Sequence, residues 1–586
     1  MMLPTATLVC LAALVPFSQR SGAQSAIDAQ VVETELGARI DRYLATLAVY
    51  GMSGSILVER DGRVIVHASY GLADRSEDVP LTVDMPMLIG SLSKQFVAAA
   101  ILKLEAQGRL RVGDSLPRFF ADVPADKRSV TLHQLMTHTA GLEYLPTGNL
   151  FEPMDRAEVM RSTLALPRNE ESIGRHAYAN TGYTLLAGVI ESVAGVSFEE
   201  FLRRELFEPA GMRSTGFEWD TAAEWRARLG VHSYSGLSDE GPARAFPVAP
   251  RLAGAGGVVS TVADLYRWEL ALRGDVVLPD SSRRKLFTPY VDVGGPIRHA
   301  YGWNVITTPR ATTMIAHAGD IGGYNADFRR YVDEGLTIIY LSNARVASGG
   351  WRQAVLNNVS LLIAGAKYAA PPSVVELPAK RLEAFTGRYR LESGQELRIW
   401  LDDGRLMIGG DGSEAIALLA AMSAVDSTLA TTYDERTLTI ARDMVTGELS
   451  SLEAALTPSL PRAELREEIA RQLRSHTDSL GAMREPELLG TAVLSPSSAR
   501  TYWRMKFERG SVMQEWSWQG GVIMSLDGGM TTAMATVLAP TSSTEAATFD
   551  PFTGRSVAVA LGVDGGRSLT VISGDRQATA VRVGDP

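Results

Sequence analysis

The chain has 586 residues, 45% of them hydrophobic, more than one core accommodates, so it divides into several domains. Its formal net charge is -10 and no basic stripe stands out, which excludes the electrostatic footprint of a nucleic-acid binder. Cys10 is the only cysteine, so a disulfide framework is excluded.

Residues 1–23 read as a secretion leader. The apolar run Leu8-Val9-Cys10-Leu11-Ala12-Ala13-Leu14-Val15 is too short to span a membrane, and Ser21-Gly22-Ala23 offers small residues for cleavage. Export to the periplasm or medium is expected, and loss of Cys10 with the leader excludes a cysteine nucleophile. No later stretch resembles a transmembrane helix.

Residues 25–48 read as an amphipathic helix, with Val31, Val32, Leu36, Ile40, Tyr43, Leu44 and Leu47 recurring at three and four. The period then changes. Residues 55–60 and 63–67 are strands joined by Asp61-Gly62, a hairpin signal, and His67 is expected on the strand surface. Residues 84–108 carry a helix rich in Ala and Leu behind Gly90-Ser91-Leu92-Ser93-Lys94. His133 and His138, five apart, do not share a helix face. Structural hydrogen-bonding roles are expected for them rather than metal ligation. Further helices follow Tyr178-Ala179-Asn180 and span residues 198–207.

Gly254-Ala255-Gly256-Gly257 runs into a helix at Val262. It lacks the Lys-Ser or Lys-Thr of a phosphate loop, so close backbone packing is expected. Residues 314–319, 325–331 and 336–341 are strands, and a helix at 351–365 closes the unit. One antiparallel sheet is expected, two strands from the N-terminal side and three from here, covered by helices. Ala369-Ala370-Pro371-Pro372 marks a linker. Beyond it a small β-barrel or sandwich is expected over 379–456, with Leu438-Thr439-Ile440 among its strands. A charged helix followed by strands is expected over 461–586. The fold class is thus α+β, with a main domain at 24–370 and two smaller, mainly β regions.

Three pieces carry chemistry together: Ser91 with Lys94, Tyr178 with Asn180, and His317 with Gly319. Ser91 lies at a helix start, where orphan N–H groups and the positive helix end favour an oxyanion. Lys94 lies one turn on, within reach of the serine hydroxyl. Tyr178 serves as base or relay if a positive field from Lys94 and His317 lowers its pKa. Alternatively a neutral Lys94 is the base, which needs its pKa pulled from about 10.4 to about 7–8. The residues leave both open. Asn180 has a side chain suited to orienting Lys94 and a substrate amide.

These pieces resemble the serine β-lactamase and penicillin-binding protein superfamily. The likeness is closest to class C β-lactamase-related hydrolases: D-aminopeptidases, D-alanyl-D-alanine carboxypeptidases and esterases. The S-x-x-K motif stands as Ser91-Leu92-Ser93-Lys94, the Y-x-N motif as Tyr178-Ala179-Asn180, and the K-T-G or H-x-G motif as His317-Ala318-Gly319. Leu135–Leu142 and Ala255–Thr261 also look like family signatures, and the resemblance covers about residues 30–365. It implies a β-lactamase-like fold, Ser91 as nucleophile, and an oxyanion hole from the backbone N–H groups of Ser91 and Asp320. It implies proton transfer through Lys94 and Tyr178, and no cofactor or metal.

Where a K-T-G strand offers a cation and a hydroxyl for a substrate carboxylate, this chain has His317 and Ala318. That favours small esters, or D-amino-acid-containing peptides and amides, as substrates. The alternatives are a β-lactamase or D-alanyl-D-alanine carboxypeptidase, and a penicillin-binding sensor that is acylated without turnover.

Overall fold

The computed structural model describes residues 29–585 apart from 144–154, 236–237, 246–251, 346–350, 403, 411–412, 421–426, 457–461, 496, 531–533 and 552. The expected leader lies outside the described residues. Among them, no helix is long and apolar enough to cross a membrane.

Nine strands form the first sheet: β1 (Val31–Val32), β2 (Gly54–Arg60), β3 (Arg63–Tyr70), β4 (Val291–Gly294), β5 (Ile297–His299), β6 (Asn304–Thr307), β7 (Thr313–Ile321), β8 (Tyr324–Tyr331) and β9 (Leu336–Ser342). Their order is β1-β3-β2-β9-β8-β7-β6-β5-β4, so the five expected strands sit side by side at its centre. β4, β5 and β6 extend it beyond the expectation. They are three or four residues long and mostly half-buried, which leaves weak periodicity in a sequence.

Side chains alternate across this sheet into two cores. Leu57, Ile339 and Leu341 join one cluster with Phe96, Val97 and Ile101, whereas Ile56, Val58, Ile338 and Tyr340 join another with Ile40, Leu44 and Val359. The first core lies under α2 (Lys94–Ala106), α4 (Asn180–Ala194) and α5 (Val262–Arg273). The second lies under α1 (Thr34–Val49) and α6 (Trp351–Ile363). Burial on both faces explains why Ile56-Leu57-Val58 reads as an unbroken apolar run. The short α3 (Leu132–Met136) packs beside α4.

Two expectations are corrected here. Helix α1 begins at Thr34, because Val31 and Val32 pair with His67 and Val66 as an edge strand. His67 is fully buried, since Nδ1 meets the Ala29 carbonyl oxygen at 2.9 Å and the N-terminal segment covers it.

Beyond the linker, the strand pairing redraws the expected division at 456/461. Helices α7 (Ser427–Val445) and α8 (Arg462–Leu480) accompany strands β10 (Gly387–Leu391), β11 (Glu396–Asp402), β12 (Arg405–Gly410), β13 (Glu487–Ser495), β14 (Ser498–Phe507), β15 (Gly510–Gln519), β16 (Val522–Met530), β17 (Met534–Val537), β18 (Ala539–Pro540), β19 (Glu545–Asp550), β20 (Arg555–Leu561), β21 (Ser568–Ser573) and β22 (Arg576–Gly584). A second nine-stranded sheet runs β17-β12-β11-β10-β22-β21-β20-β19-β18. Its two edge strands are separated in sequence by Leu538 alone, so the sheet curls back on itself around Phe385, Tyr389, Leu397 and Val571.

The four-stranded sheet β13-β14-β15-β16 and its helices are an insertion between β12 and β17. Leu438-Thr439-Ile440 belongs to α7 rather than to a strand. Tyr433, Ile440, Ala441 and Met444 recur at helical spacing and pack on Trp503, Trp516 and Trp518, a tertiary contact that overrides β-propensity. The curled sheet docks against the first unit: Tyr50 meets Phe549 at 5.8 Å, and Asn358 donates to the Pro551 carbonyl.

Candidate active site

The chain enters α2 through a tight turn over Gly90–Ser93, with Lys94 as the first α-helical residue. Gly90 adopts φ +49°. A Cβ there would lie 2.7 Å from the Asp320 backbone nitrogen, so glycine is required by close approach as well as by conformation. At Gly319 a Cβ would lie 2.0 Å from the Ile89 carbonyl oxygen and 2.8 Å from the Ser91 backbone nitrogen. The end of β7 therefore lies directly against the Ser91 turn. The backbone nitrogens of Ser91 and Asp320 border the same seam.

Lys94 is completely buried. Its Nζ lies 3.0 Å from Ser91 Oγ, 2.7 Å from Asn180 Oδ1 and 2.8 Å from the Ala255 carbonyl oxygen. Burial holds its pKa well below the ordinary lysine value. Nζ also lies 4.8 Å from the centroid of the Tyr178 ring. Tyr178, Ala179 and Asn180 are consecutive, and Asn180 opens α4. Ser91, Lys94, Tyr178, Asn180 and the His317–Asp320 strand thus converge.

The glycine turn at 254–257 packs as expected. A Cβ at Gly254 would come 2.1 Å from the Tyr183 carbonyl oxygen, and one at Gly257 would come 2.1 Å from the Trp219 ring. Its further role was not read from the sequence: the turn delivers the Ala255 carbonyl to Lys94.

His317 departs from its expected electrostatics. It is buried, and burial together with Lys94 pushes its pKa down to about 3. Burial lowers the Lys94 pKa as well, and His317 adds no positive charge to the field on Tyr178 near neutral pH. A nearby cation is Arg352 on α6, which sequence reasoning missed. Its guanidinium binds the Asp320 carboxylate at 2.6 Å and the Gly319 carbonyl at 3.2 Å. The Asp320 side chain remains 52% exposed, leaving an acidic group at the rim of the strand.

A patch of imidazoles flanks Tyr178. Ring centroids of His138 and His299 are 4.9 Å apart, those of His176 and His299 5.0 Å, and those of His138 and His176 5.6 Å. His138 Nδ1 accepts the Ala179 N–H at 3.1 Å, so its proton resides on Nε2. Among the described residues, no group of three His, Cys, Asp or Glu side chains is arranged to hold a metal ion. His133 serves structurally, with Nδ1 2.7 Å from the Tyr301 hydroxyl.

Burial lowers the pKa of His138, His176, His299 and His317, with His299 and His317 at about 3. Between about 6.5, the unfolded value, and about 3 the unfolded chain binds protons that the native chain does not. Native stability is therefore complete above about pH 6.5 and lost progressively on acidification. At pH 5 His299 and His317 each cost about 2 kcal/mol. Urea midpoints measured from pH 8 to 4.5 should fall steeply below 6.5, and His299→Gln should flatten the slope. A slope unchanged by that substitution would contradict the assignment.

Comparison with known proteins identifies the family. The profile of the family described as Beta-lactamase matches residues 37–355. The chain is 28% identical over 389 residues to Penicillin-binding protein 4* of Bacillus subtilis, an alignment covering 61% of this chain and 83% of that protein. It is 26% identical over 369 residues to a D-aminopeptidase of Cereibacter sphaeroides, covering 60% and 66%. The fold matches the octameric penicillin-binding protein homologue from Pyrococcus abyssi with a TM-score of 0.50 at 18% identity, covering 93% of this chain and 100% of that one.

Proposed function

This chain belongs to the beta-lactamase family, and from that premise we propose that it hydrolyses small esters or D-amino-acid-containing peptides and amides through a Ser91 acyl-enzyme. The observation that carries the mechanism is the set of partners around Lys94 Nζ. Asn180 Oδ1 and the Ala255 carbonyl oxygen can only accept. A neutral amine has two N–H bonds, which these two partners use. Its lone pair then remains for the Ser91 hydroxyl at 3.0 Å. This arrangement supports Lys94 as the base and leaves Tyr178 as the relay.

Ser91 Oγ attacks the substrate carbonyl carbon as its proton passes to Lys94. The resulting ammonium has three N–H bonds for the same three acceptors, so the cation forms in a site already arranged for it. The backbone N–H groups of Ser91 and Asp320 face the oxyanion. On collapse, the proton passes through Tyr178 to the departing oxygen or nitrogen, and the acyl group stays on Ser91. Water repeats the sequence in deacylation: its proton goes to the Lys94–Tyr178 pair, its oxygen bonds the acyl carbon, and Ser91 leaves with a proton.

The substrate class rests on the β7 edge. Neutral His317 and Ala318 provide neither a cation nor a hydroxyl, and Arg352 is engaged by Asp320 and the Gly319 carbonyl. The half-exposed Asp320 carboxylate, its charge offset by Arg352, offers a hydrogen-bond acceptor for a substrate amine. The D-aminopeptidase relative supports this choice. The penicillin-binding relative favours the alternative, a β-lactam or D-alanyl-D-alanine substrate.

His317→Lys distinguishes the two. Restoring a cation should raise kcat/KM for a carboxylate-bearing lactam relative to a neutral ester by about tenfold or more, the scale of one well-placed charged contact. A wild-type protein that prefers carboxylate-bearing lactams, or a ratio unmoved by His317→Lys, would contradict the substrate reading.

A further inference from the structure

His138 follows the short helix α3 and takes φ +55°, a left-handed conformation that side chains other than Gly, Asn and Asp seldom adopt. It is also 2% exposed. Three contacts run from this residue to the segment holding Tyr178. Its carbonyl accepts the Ala177 N–H at 2.8 Å. Its Nδ1 accepts the Ala179 N–H at 3.1 Å. Its ring lies 4.4 Å from the Tyr178 ring, centroid to centroid, at 35°.

The peptide N–H groups on both sides of Tyr178 are thus tied to His138. The next residue, Asn180, places Oδ1 on Lys94 at 2.7 Å. The strained backbone is what lets one residue present both acceptors, and such strain persists where the surroundings over-determine it. His138 also packs on Tyr183, ring centroids 5.1 Å apart, and Tyr183 donates to the Met136 carbonyl. The imidazole therefore packs on both α4 and the Tyr178 segment.

We propose that His138 is a positioning residue for the Ser91 reaction: its imidazole accepts the Ala179 N–H and backs the Tyr178 ring, and so holds the Tyr178 hydroxyl in place beside Lys94. The inference rests on the acyl-enzyme reading above. Only an unprotonated Nδ1 accepts this N–H. Burial and the neighbouring His299, His176, Lys94 and His317 all disfavour the imidazolium. Histidine is suited to the position because it combines an acceptor with a flat ring. Asparagine keeps an acceptor and tolerates the left-handed backbone without the ring, and glycine tolerates the backbone with neither.

The test uses the full chain, p-nitrophenyl acetate as substrate, and thermal melts to establish folding. His138→Gly should lower kcat about 30-fold with KM within about threefold, the scale of a small misplacement of reacting groups. His138→Asn should recover most of that, to within about fivefold of wild type. In a Tyr178→Phe background His138→Gly should cost less than about threefold, because the hydroxyl it positions is gone. If the glycine variant does not fold, the same cycle is read with His138→Asn, whose smaller deficit should likewise vanish in Tyr178→Phe.

A folded His138→Gly with wild-type kcat, an asparagine variant as slow as the glycine one, or equal costs in both backgrounds would overturn the proposal. Ser91→Ala is run alongside. Ester turnover that survives without Ser91 defeats the acyl-enzyme reading, and the positioning role with it. Turnover that needs Ser91 beside an additive cycle defeats only the role of His138.

Discussion

Lys94→Met and Lys94→Arg are both expected to slow Ser91 acylation by about 1,000-fold, the middle of the range for loss of a general base. Methionine keeps the bulk of the side chain and removes the nitrogen. Arginine keeps a cation and hydrogen-bond donors but does not release a proton under these conditions. The pair separates a base from a fixed positive charge. If Lys94 acts as the base, both variants fail alike. An arginine variant within about tenfold of wild type would make Lys94 an electrostatic partner and pass the role of base to Tyr178.

The pH profile carries the same sign. The amine is active when deprotonated, and its pKa is lowered by burial. Acylation should therefore fall as pH drops through that lowered value and level off above it. His317 titrates at about 3, so it adds no limb near neutrality. Stopped-flow acylation of wild type and the two lysine variants across pH reads both results.

The nucleophile turn was legible in the sequence because its chemistry is local. Ser91 and Lys94 are three apart, and the helix-forming run behind them gives their spacing a geometry. Tyr178-Ala179-Asn180 and His317-Ala318-Gly319 were legible by resemblance, and the fold brings them to Lys94 from other elements. The Ala255 carbonyl was not legible, because any residue carries that group and only tertiary packing aims it. The protonation of His317 was equally hidden, since burial rather than residue type sets it. His138 was read as structural, and its contacts with Ala177, Ala179 and Tyr178 exist only once a left-handed backbone is in place.

The central strands were legible from period and turn chemistry. Asp61-Gly62 joins β2 to β3 as a hairpin, and the apolar runs of β2 and β9 match their burial on both faces. The tail was read less well because its pairing is non-local. β12 pairs with β17 across more than a hundred residues, and β10 pairs with β22 near the end of the chain. No window of sequence contains both partners, so a boundary drawn at a Pro- and charge-rich stretch falls inside an insertion. The helix at Ser427–Val445 hid for a related reason: Leu438-Thr439-Ile440 looks like a strand until the Trp503, Trp516 and Trp518 surface beneath the helix is known.

Ser91 geometry makes the central claim directly testable. The hydroxyl faces a buried amine, and the turn that carries it is pressed against the strand bearing Gly319 and Asp320. Removing the hydroxyl removes the group placed to attack, so Ser91→Ala should lower turnover by at least about 10,000-fold. The measurement that reads this best is intact-protein mass spectrometry during hydrolysis of p-nitrophenyl acetate, with peptide mapping of any adduct and product counted against enzyme. We expect a transient increase of one acetyl group on Ser91, absent in Ser91→Ala, and product rising well beyond one equivalent. A folded protein with no adduct on Ser91, or an adduct with product stopping at one equivalent, would contradict a turnover enzyme built on this serine.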